Sequence, residues 1–314
     1  LTMSFSAFLA FPGQGSQHLS MFSKGRIEDI AHSSSYSQTV ECCSDLISYD
    51  VYKLIEEGPE ELINQTSITQ PLLVLCSYLH YEKLINSIDI NPKFLAGHSL
   101  GEYSALVVAN SIQITDALML VRKRGELMEN APSGSMSAIM GLDQDIIVNI
   151  CSNISRKDDL HVQCANLNSH NQTVISGDNI AIEQAQKLCI EQGAKRAIKL
   201  NVSIASHSKL MINAAKDFEK ILKKVDMKMP DKEIFHNVSV ARAHSIEELY
   251  ELLVSQLYEP VRWVEICDQA KLLNLPIIEC GAGKVLSGLF KNNGLENYYY
   301  SSDEEFYEKI INNG

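Results

Sequence analysis

The stretch Gly97-His98-Ser99-Leu100-Gly101 follows a short apolar run at residues 94–96 and precedes an apolar segment at 102–109. The run predicts the end of a buried strand, and the segment after the glycines predicts a helix. A strand, a tight turn and a helix in this order form a nucleophile elbow, in which glycines let backbone segments approach closely. Such a turn would present Ser99 at the helix N-terminus, where backbone N–H groups favour a developing anion. A chance match is the alternative, but the flanking segments favour a nucleophilic serine.

Strand-like and helix-like segments alternate on both sides of this turn, which predicts an α/β fold with a largely parallel sheet. The predicted strands are 5–11, 94–96, 234–238 and 275–279, and the predicted helices are 70–84, 116–130, 208–224 and 245–258, with a further helix opening at 281–284. Pro71 is expected at the start of its helix, and Thr115 and Asp116 are expected to cap the next one.

A smaller pattern interrupts this alternation between residues 131 and about 201. Its strands are 136–140, 161–164, 173–176 and 196–200, and its helices are 144–152 and 180–192. The order strand, helix, strand, strand, helix, strand is the ferredoxin-like motif. We therefore predict an α/β-hydrolase-like large subdomain from residues 1–132 and 204–314, with an inserted ferredoxin-like small subdomain at 133–203.

Charge and composition exclude several classes of partner. The 314 residues are 45% hydrophobic, and 27 Lys and Arg against 39 Asp and Glu give a formal net charge of −12. Such a surface should repel nucleic acid, and also an acidic protein unless basic residues gather locally. The basic candidates are Arg122-Lys123, Lys195-Arg196, Lys284 and Lys291. For any single one of them, a solvated surface charge is the better explanation.

Cysteine usage and hydropathy suggest a compartment. The eight cysteines form no C-x-x-C pair, so neither a disulfide framework nor a zinc site is expected. Residues 4–11 lack a basic flank and run into Pro12-Gly13, which favours a first strand over a signal peptide. No apolar run is long enough to span a bilayer. We expect a cytoplasmic protein with no membrane association, no metal and no cofactor.

A serine nucleophile needs a base, and His207 is the strongest of the nine histidines. It follows the last strand of the small subdomain, at the seam between subdomains where clefts form. A helix-capping histidine is the alternative. His98, inside the elbow, should point away from Ser99 and pack structurally. Because no Asp or Glu has a setting typical of a triad, we expect a dyad assisted by a carbonyl or an amide.

Arg124 lies on the apolar stripe of the predicted helix 116–130 and has no acidic neighbour at helical spacing. A buried guanidinium must find an anion. Either a distant carboxylate pairs with it, or it binds the carboxylate of a ligand.

The glycine turn 13–17 has neither the spacing of a P-loop nor that of a dinucleotide-binding motif. We expect it instead to direct the backbone N–H of Gln14 toward the elbow, as an oxyanion donor beside Leu100.

Several motifs along the chain occur in the order and spacing typical of one family. They are Phe11-Pro-Gly-Gln-Gly-Ser-Gln17, Gly97-His-Ser-Leu-Gly-Glu-Tyr-Ser-Ala-Leu106, Arg124-Gly125, Val202-Ser203, Ser206-His207, Gln256-Leu-Tyr-Glu-Pro-Val261 and Gly281-Ala-Gly-Lys-Val-Leu286. With them the chain resembles, over nearly its full length, the malonyl-CoA:acyl carrier protein transacylases of fatty acid synthesis. Two loops depart from the family pattern, at Ala282 and at His170-Asn171, and they bear on coenzyme A or carrier contacts.

The resemblance implies roles for particular residues. Ser99 would be the acyl nucleophile, His207 its base and Arg124 the ligand of the malonyl carboxylate. Gln14 and Leu100 would supply oxyanion amides. Gln256 would lie beside His207, with a main-chain carbonyl orienting the imidazole, and Met128 and Ser206 would line the acyl pocket.

The implied reaction is a ping-pong transfer of malonyl from malonyl-CoA to the phosphopantetheine thiol of acyl carrier protein. Two alternatives use the same scaffold: a trans-acting acyltransferase of a polyketide synthase and a serine acyl hydrolase. Arg124 argues against the hydrolase. A non-catalytic binding module would be expected to lack the serine, the histidine or the elbow glycines, and all are present.

Overall fold

A computed structural model describes residues 5–157 and 160–313 of the chain. Its strands form two sheets, one parallel with the order β7-β2-β1-β8-β9 and one antiparallel with the order β4-β5-β3-β6. The strands are β1 (Phe5–Phe11), β2 (Ile90–Gly97), β3 (Ser135–Met140), β4 (Val162–Ser169), β5 (Gln172–Gly177), β6 (Arg196–Lys199), β7 (Glu233–Phe235), β8 (Ile277–Glu279) and β9 (Tyr298–Tyr300).

Helices surround the sheets, and one 3₁₀ turn, Lys209–Met211, precedes α10. The helices are α1 (Glu28–Ala31), α2 (Ser37–Ile47), α3 (Val51–Glu57), α4 (Glu60–Ile63), α5 (Thr66–Ser87), α6 (Gly101–Val108), α7 (Ile114–Glu129), α8 (Gln144–Lys157), α9 (Asn179–Glu191), α10 (Ile212–Leu222), α11 (Ile246–Ser255), α12 (Trp263–Leu273), α13 (Val285–Asn292) and α14 (Phe306–Asn313). None of them, within the described residues, combines the length and apolarity needed to cross a bilayer.

The parallel sheet brings two loops to the same edge. β1 lies at its centre, and the β1–β2 register pairs Phe11 with Gly97. The loop after Phe11 and the elbow after Gly97 therefore begin side by side. This is the carboxyl edge, where ligands bind in open α/β sheets. The predicted α/β architecture is confirmed.

The antiparallel sheet has the strand order expected of a ferredoxin-like unit, with the outer pair β4 and β6 flanking β5 and β3. Two helices, α8 and α9, pack on it through a separate apolar core that includes Ile139, Ile147 and Ile182. The predicted strands 161–164 and 173–176 proved too short, because the hairpin between β4 and β5 continues to residues 169 and 172. The subdomain limits at 133 and 203 stay a prediction.

Several predicted boundaries were wrong because tertiary contacts extend or replace local signals. Helix α5 starts at Thr66, so Pro71 lies inside it rather than at its start. The Glu129 carboxylate of α7 accepts from the Ser67 N–H at 2.7 Å, a cap invisible in the local sequence. Helix α7 begins at Ile114 with no side-chain cap, so neither Thr115 nor Asp116 caps it. Local sequence patterns did not predict α1–α4, α12, β9 or α14.

Candidate active site

The turn between β2 and α6 has the tight geometry expected of a nucleophile elbow. Ser99 adopts φ +51°, a left-handed conformation that costs energy in a non-glycine residue. A Cβ on Gly97 would lie 1.9 Å from the Gly101 carbonyl carbon, and one on Gly101 would lie 2.1 Å from the Phe11 oxygen. Only glycine fits at either position, so the elbow and its two glycines are confirmed.

Asn237, which follows β7, holds this strained turn from the side. Its Oδ1 accepts from the Ser99 N–H at 2.8 Å, and its Nδ2 donates to the Gly97 carbonyl at 2.6 Å. The side chain is fully buried. The Asn237 side-chain amide thus satisfies the Ser99 N–H and the Gly97 carbonyl, two backbone groups for which the sharp turn provides no partner in a strand or helix. Asn237 was not predicted from the sequence, because no motif surrounds it.

Ser99 and His207 lie together, as predicted. Ser99 Oγ is 2.8 Å from His207 Nε2, and His207 Nδ1 is 2.7 Å from the main-chain carbonyl of Gln256. A carbonyl only accepts, so Nδ1 carries the proton and Nε2 is free to accept from the serine hydroxyl. The predicted dyad with a carbonyl in place of an acid is the arrangement observed.

Burial keeps the His207 imidazole neutral. The ring is 2% exposed, and desolvation, with repulsion from Arg124, lowers the pKa of His207 to about 3. A neutral imidazole is the form that accepts a proton, so His207 is in its basic form across the ordinary pH range.

Two backbone N–H groups are available for an oxyanion. Among the described residues, neither the Gln14 N–H nor the Leu100 N–H donates to another protein group. The two segments touch, since a Cβ on Gly13 would lie 3.7 Å from the Leu100 nitrogen. The Gln14 side chain is fixed by a 3.0 Å bond to Thr66. This placement fits the predicted donor pair.

Arg124 is buried beside the dyad with no carboxylate bonded to it in the described part of the chain. Its NH1 and NH2 groups donate to Gln70 Oε1 and Gln256 Oε1, each at 3.0 Å. Its guanidinium lies 5.5 Å from the centre of the Tyr103 ring, and its Nε has no hydrogen-bond partner among the described residues. Burial lowers the pKa of Arg124, yet a guanidinium stays charged. Of the two predicted explanations, this geometry favours a ligand's carboxylate.

The remaining predicted residues lie around this centre. Met128, 3% exposed, accepts from Gln70 Nε2 at 3.5 Å through its sulfur. Ser206 is half-buried next to His207. Gln256 contacts His207 through its main chain and Arg124 through its side chain. His98 points away from Ser99, as expected: its Nε2 is 2.8 Å from Asn168 Oδ1, and its ring packs edge-on against Trp263.

A second layer of buried polar side chains, which was not predicted from the sequence, lies behind the elbow. Glu102, in the first turn of α6, pairs with His236 Nδ1 through one oxygen and accepts from Gln256 Nε2 through the other. All three side chains are at most 1% exposed. An acidic residue just after the elbow was the available signal, but its partners are distant in sequence.

Together these groups form the machinery of acyl transfer through a serine ester. A hydroxyl contacts a neutral base, two free amides adjoin it, and a buried cation lies alongside. In such a site the cation would select an acyl group that carries its own negative charge.

Many known proteins are similar to this chain. The acyl transferase domain family matches residues 8–279. Malonyl CoA-acyl carrier protein transacylases of Haemophilus influenzae and Bacillus subtilis are 40% and 41% identical to the chain, covering 90% and 92% of it and 90% of each relative.

Solved structures agree with the sequence comparisons. The malonyl CoA-acyl carrier protein transacylase of Coxiella burnetii superimposes with a TM-score of 0.91 at 34% identity, over 98% of both chains. A malonyl-transacylase in complex with a type II polyketide synthase acyl-carrier protein gives 0.90 at 37% identity, over 99% of this chain and 100% of that one. The chain therefore belongs to the acyl transferase family, within its malonyl-CoA:acyl carrier protein transacylases.

Proposed function

We propose that Ser99 holds a malonyl group in transit from malonyl-CoA to the phosphopantetheine thiol of acyl carrier protein. The observation that carries this proposal is the buried guanidinium of Arg124 beside the Ser99–His207 dyad. Its described hydrogen-bond partners are amide oxygens, and an aromatic face lies beside it. The buried Glu102 carboxylate favours its charged form but is linked to it only through Gln256. A carboxylate on the acyl group would supply an anion that binds the guanidinium directly.

The first half-reaction forms the ester. His207 Nε2 takes the Ser99 hydroxyl proton as the oxygen attacks the thioester carbonyl. Leu100 and Gln14 N–H groups stabilise the tetrahedral oxyanion, a contribution of about 3 kcal/mol per donor. The C–S bond then breaks, and the proton on His207 passes to the departing coenzyme A thiolate.

The second half-reaction runs the same steps with a new thiol. The phosphopantetheine thiol gives its proton to His207 and attacks the malonyl-Ser99 ester, and the serine oxygen leaves and recovers the proton. Arg124 binds the malonyl carboxylate during both half-reactions, while Met128 and Ser206 line the acyl pocket. The Gln256 carbonyl keeps the imidazole in the tautomer that both half-reactions need.

Two other functions were open from the sequence. Arg124 would bind the acyl carboxylate whether water or a thiol attacks the ester. A simple hydrolase is disfavoured because the similar proteins are named transacylases. A polyketide acyltransferase remains the second candidate: a protein named polyketide biosynthesis protein ThaF, from Burkholderia thailandensis, is 34% identical over 92% of this chain, which matches 24% of that protein. Offering purified carrier proteins from both pathways and comparing kcat/KM would decide which one this enzyme serves.

Mass spectrometry of the acylated protein tests whether Ser99 is the nucleophile. Incubation with malonyl-CoA should add one malonyl group to Ser99, because among the described residues this hydroxyl alone lies against both a neutral imidazole and an anion site. Ser99→Ala should take none. Ser104→Ala, a matched change at a buried serine of α6, the helix that follows the turn, should label normally. A label on any other residue, or none on the unaltered protein, contradicts the assignment.

The acyl specificity is tested at Arg124. Arg124→Ala should reduce malonyl transfer on the order of a hundredfold more than acetyl transfer, because removing one member of a buried charge pair costs several kcal/mol. The matched control is Arg122→Ala, since Arg122 lies on the same helix and pairs with Glu126 at 3.0 Å. Kinetics of Ser99 acylation by each acyl-CoA give the ratio. Equal losses for both donors would make Arg124 a structural residue.

We further propose a cytoplasmic location, with no nucleic acid or membrane as partner and no cofactor beyond the substrates. The eight cysteines are free thiols, seven of them buried, as suits a reducing compartment. Fractionation of cells that produce the protein would test this.

A further inference from the structure

Glu102 is a fully buried carboxylate that the acyl-transfer steps do not use. It lies in the first turn of α6, directly behind the turn that carries Ser99. A buried carboxylate is costly unless it is paired and hydrogen-bonded. Here one oxygen meets His236 Nδ1 and the other accepts from Gln256 Nε2. These contacts raise the question of what the charge contributes to the site.

The chemistry of a carboxylate fixes the polarity of the amide that faces it. An ionised Glu only accepts hydrogen bonds, whereas the Gln256 amide has a donating end and an accepting end. With Nε2 turned toward Glu102, Oε1 necessarily turns toward Arg124, whose NH2 it meets at 3.0 Å. Nε2 also donates to the Ser99 carbonyl at 3.0 Å. The reversed amide would set hydrogens against the guanidinium and a carbonyl against the carboxylate.

We infer that Glu102 is a positioning residue for acyl selection: it sets the Gln256 amide so that its oxygen holds Arg124 in place for a substrate carboxylate. The inference rests on the proposed malonyl transfer and deepens it. Glu102 acts through Gln256 and touches no reacting atom. The Gln256 side-chain amide contacts both Arg124 and the Ser99 carbonyl. One residue therefore positions both the group that recognises the acyl carboxylate and the turn that carries the nucleophile.

His236 completes the arrangement from the other side. Its Nδ1 pairs with Glu102, while its Nε2 is buried and has no partner among the described residues. The ring therefore has one polar contact, and that contact holds the carboxylate. Glu102, His236, Gln256 and Arg124 thus form a single buried row that ends at the acyl pocket.

The test is a double-mutant cycle read out as the malonyl-to-acetyl ratio of kcat/KM for Ser99 acylation. Glu102→Met keeps the side-chain length but removes the strong acceptor, and should lower the ratio about tenfold or more. Gln256→Met keeps the main-chain carbonyl that orients His207 and should lower the ratio similarly. The double variant should show no further loss, because Glu102 has no amide left to orient.

Controls separate positioning from stability. A ratio measured on one preparation is insensitive to the folded fraction, so partial unfolding does not mimic the effect. Glu279→Met removes another fully buried carboxylate, which accepts from Leu286 and Ser287 N–H groups, and should lower stability while leaving the ratio unchanged. Glu102→Gln, whose amide oxygen can accept from Gln256 once His236 changes tautomer, should recover part of the lost discrimination. It also serves as the test variant if Glu102→Met does not fold.

The outcomes distinguish this inference from the proposed function. If the unaltered enzyme does not form malonyl-Ser99, the proposed function fails. If it does, but Glu102→Met keeps the original ratio, or its effect adds fully to that of Gln256→Met, the positioning role is overturned.

Discussion

At the scale of single residues, the site depends on burial that keeps one group neutral and another charged. His207 and Arg124 are 2% and 1% exposed, so both are deprived of water. The imidazole responds by remaining unprotonated, which suits a base. The Arg124 guanidinium keeps its proton and its charge, so it can bind an anionic group of a ligand. Repulsion from the Arg124 charge also lowers the pKa of His207, which further favours the neutral imidazole.

The neutral state of His207 predicts how stability depends on pH. Its pKa is lowered to about 3 in the folded protein, whereas an unfolded histidine titrates near 6.5. Between these values the unfolded state binds the extra proton, so acid favours unfolding. This residue should therefore cost about 1.4 kcal/mol of stability for each pH unit below about 6.

The measurement is the free energy of unfolding in urea at several pH values between 6.5 and 4.5. His207→Gln should give a shallower pH dependence than the unaltered protein. His80, whose pKa is also lowered to about 3 by burial, contributes equally to both proteins and cancels. Identical slopes would show that His207 is protonated in the folded state.

At the scale of secondary-structure elements, the elbow depends on contact between the ends of β1, β2 and α6. The Gly101 backbone packs directly on the Phe11 carbonyl, the last residue of the central strand. Any side chain there would push the helix away from the sheet, and the Ser99 N–H would leave Asn237. The glycine is therefore required by close approach of backbones.

Two glycine substitutions should act in opposite directions. Gly101→Ala should destabilise the protein by about 3 kcal/mol and abolish acylation, because its Cβ meets a backbone oxygen that cannot move freely. Gly288→Ala, on the exposed side of α13 with nothing near its Cβ, should stabilise by about 0.5–1 kcal/mol through helix propensity. Urea unfolding and Ser99 labelling measure both. Equal effects at the two sites would contradict this account of the elbow.

At the scale of the whole molecule, β4, the edge strand of the antiparallel sheet, joins that sheet to the segments just before α12 and just after α13. Val261 pairs with that edge: its N–H donates to the Ala165 carbonyl at 2.8 Å, and its carbonyl accepts from the Leu167 N–H at 2.9 Å. The Asn168 carbonyl also accepts from Asn293 Nδ2 at 2.8 Å. An edge strand that would otherwise expose its backbone is thus covered by the other part of the chain.

This coupling predicts cooperative unfolding. Separating the sheets would leave the edge of β4 unpaired and expose the cleft that holds His207, so we expect the two parts to unfold together. Scanning calorimetry should show one transition, with calorimetric and van't Hoff enthalpies in agreement. Two resolved transitions would mean that the antiparallel unit folds as an independent body.

The sequence by itself determined the parts whose causes are local. Ser99 and its flanking glycines, the alternation of strands and helices, and the inserted six-element unit are recorded by residues close together along the chain. Because no Asp or Glu has a setting typical of a triad, the sequence was enough to expect a dyad. Arg124 was recognisable as a cation with no counter-ion, although its two explanations stayed open.

Tertiary structure alone decided what surrounds these residues. Glu102 meets Gln256 across 154 positions, and Asn237 meets Gly97 across 140. A buried polar group must be satisfied by whatever the fold brings near it. Local patterns record propensity and periodicity, not such partners, so Gln70, Asn237 and His236 carried no signal. Local sequence patterns were enough to predict Ser99 as the nucleophile. The hydrogen-bond network that orients His207 and Arg124 forms only when the chain folds.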